Sequence, residues 1–251
     1  MKSQLQKDSL SFTGERVIID SHEVAEHLKD EHLDRYRFAY TFAQGKRILD
    51  IACGTGYGSH MLSSAGAKSV TGIDISLESI EYARRFESNN LTFSQGNALS
   101  LKSIKDNSFD LVVSFETIEH LNDPRRFLSE LRRILKSGGI LIISTPNRHF
   151  TSPFYWLNHR PRNRFHIFEL NPREFRSLLS EFFLVDSVYG QHLLPSWISW
   201  WPVLSLLKVS SLLFSRRDKI YGRIVTHGGT GVFPLTSGKS GRILIALCNR
   251  R

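Results

Sequence analysis

The chain has 251 residues, with 33 Lys and Arg against 24 Asp and Glu and a formal net charge of +9. That length suffices for one large α/β domain with insertions and does not require a second. Two cysteines without metal-ligand spacing, Cys53 and Cys248, and a polar stretch 1–10 lacking the apolar centre of a secretion signal argue against a zinc-held or exported protein. A cytoplasmic, reducing setting is expected. The positive surplus favours anionic partners without choosing among nucleic acid, phosphorylated glycans and an acidic membrane face, and its short clusters read equally as solvated surface.

Apolar positions at helical spacing over 22–42, with Ser21 as N-cap and Gly45 as stop, predict one or two helices ahead of the first strand. The pattern then predicts a strand at 47–52, a helix at 59–65, a strand at 69–74, a helix at 77–87 and a strand at 91–95. A strand at 109–115, a helix at 124–135 and a strand at 139–144 follow. Asp123 and Pro124 mark the start of that helix and Gly138-Gly139 its end. Asn171-Pro172 opens a helix to 182, a strand covers 185–189, and a last apolar strand covers 242–248. Such alternation implies a parallel sheet with helices on both faces. Stretches 146–170 and 190–239 break it and emerge beside the sheet, as substrate-binding insertions do.

The first strand ends in Asp50-Ile51-Ala52-Cys53-Gly54-Thr55-Gly56-Tyr57-Gly58. Glycines after a strand deliver bare backbone N–H groups to a ligand. The second strand ends in Asp74, where a ribose with two free hydroxyls needs an acceptor pair. A dinucleotide turn opens with glycine so that a helix start meets pyrophosphate. Here Asp50 opens the turn, which repels pyrophosphate and suits a ligand bearing an ammonium and a sulfonium.

At these residues the chain resembles the class I S-adenosylmethionine-dependent methyltransferases, with Ala52 where many members have a first glycine. The resemblance is strong over 47–147 and weaker over 12–46 and 148–185. It implies a Rossmann-like α/β fold, a seven-stranded mostly parallel sheet with helices on both faces and an antiparallel last strand. It also implies S-adenosyl-L-methionine as cofactor, with Asp50, Ala52, Gly54, Gly56, Asp74, Ile75, Asn97, Ala98 and Phe115 around it. Gln95-Gly96-Asn97-Ala98 is similar to the family's third-strand motif, in which Asn97 replaces the usual acid and accepts from the adenine amino group; Asn97 also reads as a plain turn residue.

The fourth strand runs into Phe115-Glu116-Thr117-Ile118-Glu119-His120, similar to the family segment that faces the sulfonium. His120 falls beyond the strand's C-terminal edge, where ligands of such sheets bind. It is a candidate base at the acceptor, or a histidine packed on the next turn. Ser144-Thr145-Pro146-Asn147 and the later His166 to Glu174 are similar to members that modify glycans and natural products, which makes His166 a second candidate base or an anchor of its loop. Thr13-Gly14-Glu15-Arg16 resembles leaders of glycan-building methyltransferases. Trp197, Trp200 and Trp201 beside Arg216, Arg217 and Lys219 suit peripheral membrane contact through 193–219; the alternative reading is a buried lid helix or dimer surface.

The expected organisation is one domain over 1–251, with a helical cap (1–45), a cofactor core (46–148) and acceptor-side insertions (149–170 and 190–240). The expected activity is direct in-line methyl transfer to an oxygen of a small-molecule, glycan or lipid-linked acceptor, with no metal. An RNA methyltransferase is the rival suggested by charge, disfavoured by the absence of an Asn/Asp-Pro-Pro-Tyr motif or an added RNA-binding module. A non-catalytic S-adenosylmethionine-binding protein is the third reading.

Overall fold

The computed structural model describes residues 18–19, 24–152, 155, 159–195, 231–235 and 239–251. The expectations placed on Ser21, on Thr13 to Arg16 and on most of 193–219 lie outside the described residues. Helix α1 (Glu26–Tyr40) starts four residues later than predicted, at Ala25, whose side chain makes no capping bond. Strand β1 (Arg47–Ile51), helix α2 (Tyr57–Ser64), strand β2 (Ser69–Asp74), helix α3 (Leu77–Ala83) and strand β3 (Leu91–Gln95) follow. The predicted third helix is split, since α3 gives way to a tighter 3-10 turn at Arg84–Phe86.

Strand β4 (Phe109–Ser114) leads to helix α4 (Pro124–Ile134), capped by the Asp123 carboxylate, which accepts the Arg126 N–H. Strand β5 (Leu135–Pro146) begins directly after α4, so Gly138-Gly139 does not terminate the helix. Leu135 already pairs with Phe109, and a register shift follows on β4. Gly138, at φ +69, donates to the Arg250 carbonyl while Gly139 accepts from the Arg250 N–H, so the glycines form an irregularity within the strand.

A short helix α5 (Arg148–Thr151) and helix α6 (Pro172–Ser180) come next. Asn171 and Glu174 close a reciprocal capping box at the start of α6. Strands β6 (Leu184–Gln191), β7 (Leu194–Pro195), β8 (Phe233–Pro234), β9 (Lys239–Ser240) and β10 (Ile243–Asn249) complete the described elements.

The main sheet has the order β3-β2-β1-β4-β5-β10-β6-β8, with β7 and β9 forming a separate pair. Strands β3, β2, β1, β4 and β5 pair in parallel, and β10 lies antiparallel between β5 and β6. This is the predicted Rossmann-like arrangement with one strand more, because β8 adds antiparallel to β6. Among the described residues no helix is long and apolar enough to cross a membrane.

The two-residue period of β1 divides the core. Leu49 and Ile51 enter a cluster with Val112, Phe127, Leu131 and Phe175. Ile48 joins Tyr36, Leu62, Ile80, Phe93 and Leu111 on the other face. Asp50 shares the parity of Ile48 and so points its carboxylate to the side covered by α1 and α2.

Gly58, in the first turn of α2, lets the two helices touch: a Cβ there would lie 1.9 Å from the Tyr36 ring. Helix propensity alone would favour Gly58→Ala by about 1 kcal/mol. The clash is expected to outweigh it, for a net loss of about 1 to 3 kcal/mol. The denaturant midpoint reads the sign, and a raised midpoint would show that Tyr36 yields freely.

Candidate functional site

The turn after β1 is held open by its backbone. Ala52 at φ +60, Gly54 at φ +54 and Gly56 at φ +81 are all left-handed. A Cβ at Gly56 would strike Ala83 and Phe93, whereas one at Gly54 would meet no atom within 4 Å. Gly54 therefore borders open space on the ligand side of the turn. Ala52 adopts there a conformation that costs an L-residue roughly 1 kcal/mol or more.

Asp50 is fully buried beneath this turn. Its carboxylate accepts the Ser59 hydroxyl at 2.6 Å and the Tyr36 hydroxyl at 3.1 and 3.2 Å. Burial pushes its pKa up to about 7; the two hydroxyl bonds oppose that rise and the negative Asp74 nearby reinforces it. Asp74 locks the neighbouring strand end to the same turn: Oδ2 accepts the Gly54 N–H at 2.8 Å and Oδ1 the Ser76 N–H at 2.8 Å. Each oxygen retains acceptor capacity toward the open side.

Beyond Asp74, Ile75 is 68% exposed at the sheet edge. The Ile75 carbonyl accepts from the Gln95 amide at 3.0 Å. Asn97 is exposed, and its side-chain oxygen accepts the Leu99 N–H at 2.9 Å, closing a turn over the half-buried Ala98. Phe115 is buried edge-on against Tyr36, with centroids 5.0 Å apart. The predicted cofactor residues thus lie along the C-terminal ends of β1, β2, β3 and β4.

The predicted bases come from two distant segments that meet. Glu119 accepts the Ile167 N–H on its main-chain oxygen at 2.9 Å, which lays the 159–170 loop against the end of β4. His120 Nδ1 lies 3.0 Å from the Phe165 carbonyl. Since a carbonyl only accepts, Nδ1 carries a proton in this contact. The His166 ring meets His120 edge-on at 4.9 Å. His166 Nδ1 donates to the buried Glu169 carboxylate at 2.7 Å, and Nε2 faces the Asn163 amide nitrogen at 3.0 Å. Thr151 donates to the other Glu169 oxygen at 2.5 Å.

The expectation of a metal-free reaction did not foresee one grouping: the loop brings Glu119, His120 and His166 ligand atoms within 4.8 Å of one another. The donor set nonetheless suits a cation poorly. Both His166 nitrogens are engaged. Burial, reinforced by the charge of Glu116, raises the Glu119 pKa well above the usual carboxylate range, which disfavours the ionised form a cation needs.

Two groups escaped the sequence reading. Arg35 is 1% exposed, donates to Gln191 Oε1 at 2.7 Å, and leaves its Nε without a partner. Glu119 Oε1, equally buried, also has none, while Oε2 accepts from Thr145 at 3.1 Å. Arg35 stands four residues after Glu31 on α1, the spacing of an ordinary surface ion pair, so nothing in the sequence marked it. Only the packing of α1 over the sheet edge turns it inward.

Residues 49–143 match the family model described as "Methyltransferase domain". A protein of Mycolicibacterium smegmatis named "Probable S-adenosylmethionine-dependent methyltransferase" is 36% identical over 172 residues, 68% of this chain and 64% of the relative. The mitochondrial ubiquinone biosynthesis O-methyltransferase of Dictyostelium discoideum is 31% identical over 121 residues, 43% of this chain and 38% of that protein. The chain thus spans less than two thirds of the length of these relatives. A SAM-dependent methyltransferase structure from Thermotoga maritima superposes with a TM-score of 0.62 at 20% identity, covering 90% of this chain and 92% of that one.

The buried Asp50 carries a pH signature of its own. The unfolded chain releases this proton near 3.8 whereas the folded state holds it to about 7. Between those values the folded state binds more protons, so this group's contribution makes stability fall as pH rises, levelling off above 7. Asp50→Asn is expected to remove that slope, as read from thermal midpoints of ligand-free protein between pH 5 and 8. Parallel curves for variant and wild type would refute the burial argument.

Proposed function

On the premise that residues 49–143 are a class I S-adenosylmethionine-dependent methyltransferase domain, we propose that the whole chain transfers a methyl group to an oxygen of a small-molecule, glycan or lipid-linked acceptor. The observation that carries the cofactor half is the Asp74 carboxylate bound to the Gly54 N–H. It fixes a ribose acceptor and an open glycine turn as one rigid unit. Domain and fold together imply S-adenosylmethionine as that cofactor.

In this reading Asp74 accepts the ribose hydroxyls, the exposed Ile75 covers one face of the adenine, and Asn97 and Ala98 border its edge. Gly54 and Gly56 allow close approach of the methionine portion, with Ala52 shaping the turn and Phe115 backing it. Arg35 supplies the counter-charge for the methionine carboxylate, since a buried guanidinium with an unpartnered Nε is costly unless a ligand anion completes it. Asp50, ionised above about 7, favours the ammonium and sulfonium from beneath the turn through its field.

The bound cofactor supplies an activated methyl carbon. The protein excludes water and holds the acceptor in line, a positioning effect worth up to roughly 7 to 11 kcal/mol. His120, with its proton fixed on Nδ1 by the Phe165 carbonyl, presents Nε2 to take the acceptor proton. His166 holds its ring against His120 through the Glu169 bond. No metal enters this scheme. The ubiquinone biosynthesis O-methyltransferases among the relatives support oxygen as the methylated atom. The chain acts as one domain in which 46–148 holds the cofactor and the 159–170 loop faces the acceptor, as its contacts at Glu119 and His120 favour. A lipid-linked acceptor would place the protein peripherally on the inner membrane face.

Two measurements test the assignments. Arg35→Gln should weaken S-adenosylmethionine binding by about 1.5 to 3 kcal/mol in calorimetry, with much less effect on an analogue lacking the carboxylate. Equal loss for both ligands would move Arg35 out of contact. His120→Ala should slow single-turnover methyl transfer by about 10²- to 10⁴-fold with cofactor affinity unchanged. A full rate in that variant would leave positioning alone as the source of catalysis.

A further inference from the structure

Residues 159–168, a loop ahead of α6, also form an outward surface that cofactor binding does not use. His159, Arg160, Arg162, Arg164, Phe165 and Ile167 are all exposed, and residues 159–168 include no acid. Phe165 is 41% and Ile167 54% exposed, and the Arg164 guanidinium lies 4.6 Å from the Phe165 ring centroid. Single exposed apolar residues are ordinary. Two of them directly after a pair of arginines, on a loop held in place, are not.

The loop is held at several points. The Arg162 N–H donates to the Ser152 hydroxyl at 2.7 Å and the Phe165 N–H to Asn163 Oδ1 at 3.0 Å. The Ile167 N–H bonds the Glu119 carbonyl, and His166 is fixed to Glu169. Folding therefore presents Phe165 and Ile167 outward although a small rearrangement of a loose loop would have hidden them.

We propose that this loop docks on an anionic lipid surface, with Phe165 and Ile167 entering the headgroup boundary and Arg162 and Arg164 pairing with lipid phosphates. Lipid is favoured over nucleic acid by Ile167, the more exposed of the two. An aliphatic side chain offers no ring for base stacking and gains only from an apolar phase. The Phe165 carbonyl that fixes His120 belongs to the same loop, so a membrane-embedded acceptor would arrive one hydrogen bond from that histidine. These residues are distinct in the chain from the tryptophan-rich segment 193–219. The inference goes beyond methyl transfer and does not depend on it, because docking is measured without cofactor.

The test is flotation of the full chain with vesicles of phosphatidylcholine alone or mixed with phosphatidylglycerol. The wild type is expected to float with the anionic vesicles, to be released by salt and to ignore the neutral ones. Arg162→Glu with Arg164→Glu should lower anionic-vesicle binding by at least about tenfold. Phe165→Ser with Ile167→Ser should lower it while leaving the salt dependence in place. Thermal midpoints verify folding, and Arg162→Gln with Arg164→Gln replaces the charge reversal where the midpoint falls. The proposal is overturned if the wild type does not float, if the loop variants float as the wild type does, or if only Trp200→Ala with Trp201→Ala abolishes binding. It is equally overturned if the arginine variants lose binding to an RNA oligonucleotide in a gel shift while no form binds vesicles.

Discussion

The carboxylate of Asp50 joins three elements at one buried point, and the site is built outward from it. It sits on β1, takes its hydrogen bonds from Tyr36 on α1 and Ser59 on α2, and is fully enclosed. Removing a carboxylate from water is unfavourable unless donors replace the lost solvent. The two hydroxyls do so only in part, which is why the group remains protonated up to about 7. Their geometry in turn requires α1 to pass close over α2, and Gly58 leaves the space for the Tyr36 ring.

The same helix reaches the far side of the sheet through buried polar groups. Gln191 at the end of β6 accepts from Arg35 and donates to the Glu31 carbonyl at 3.0 Å. His192 Nε2 lies 2.8 Å from the Glu31 carboxylate and Arg242 at 3.7 Å. Burial alone would raise the Glu31 pKa, but the nearby His192 ring and the charges of Arg242 and Arg35 outweigh it and lower the pKa below the usual carboxylate value. Such networks contribute little net stability, and breaking one member is expensive. Their effect here is positional: α1 closes over the ligand edge of the sheet in one orientation, with Arg35 turned inward.

Around the 159–170 loop, irregular chain is held in place by side chains. Asn147, at the end of β5, donates through its amide to Ser240 and to the Gly241 carbonyl, while its main-chain N–H reaches the Arg242 carbonyl. Glu169, 1% exposed, receives both Thr151 and His166. A loop so anchored holds two imidazoles in fixed orientations, which the proposed proton transfer requires.

Local chemistry made the parallel core legible. The apolar run ending in Asp50, the glycine turn and the Asp74 strand end are adjacent in the chain, and period-two burial and helix caps act over a few residues. Boundaries failed where distant pairing decided them: Leu135 extends β5 because Phe109 lies opposite, and Gly138-Gly139 falls within the strand because Arg250 bonds across it. The eighth strand likewise depends on Phe233 reaching Gly190. His120 and His166 could each be nominated from the sequence, yet their contact, and the inward turn of Arg35, exist only once the loop and α1 have packed. Sequence by itself determined the cofactor turn, because its residues are neighbours in the chain. Tertiary structure decided the histidine cluster and the inward turn of Arg35, because these groups are brought together by burial and long-range hydrogen bonds that no spacing along the chain encodes.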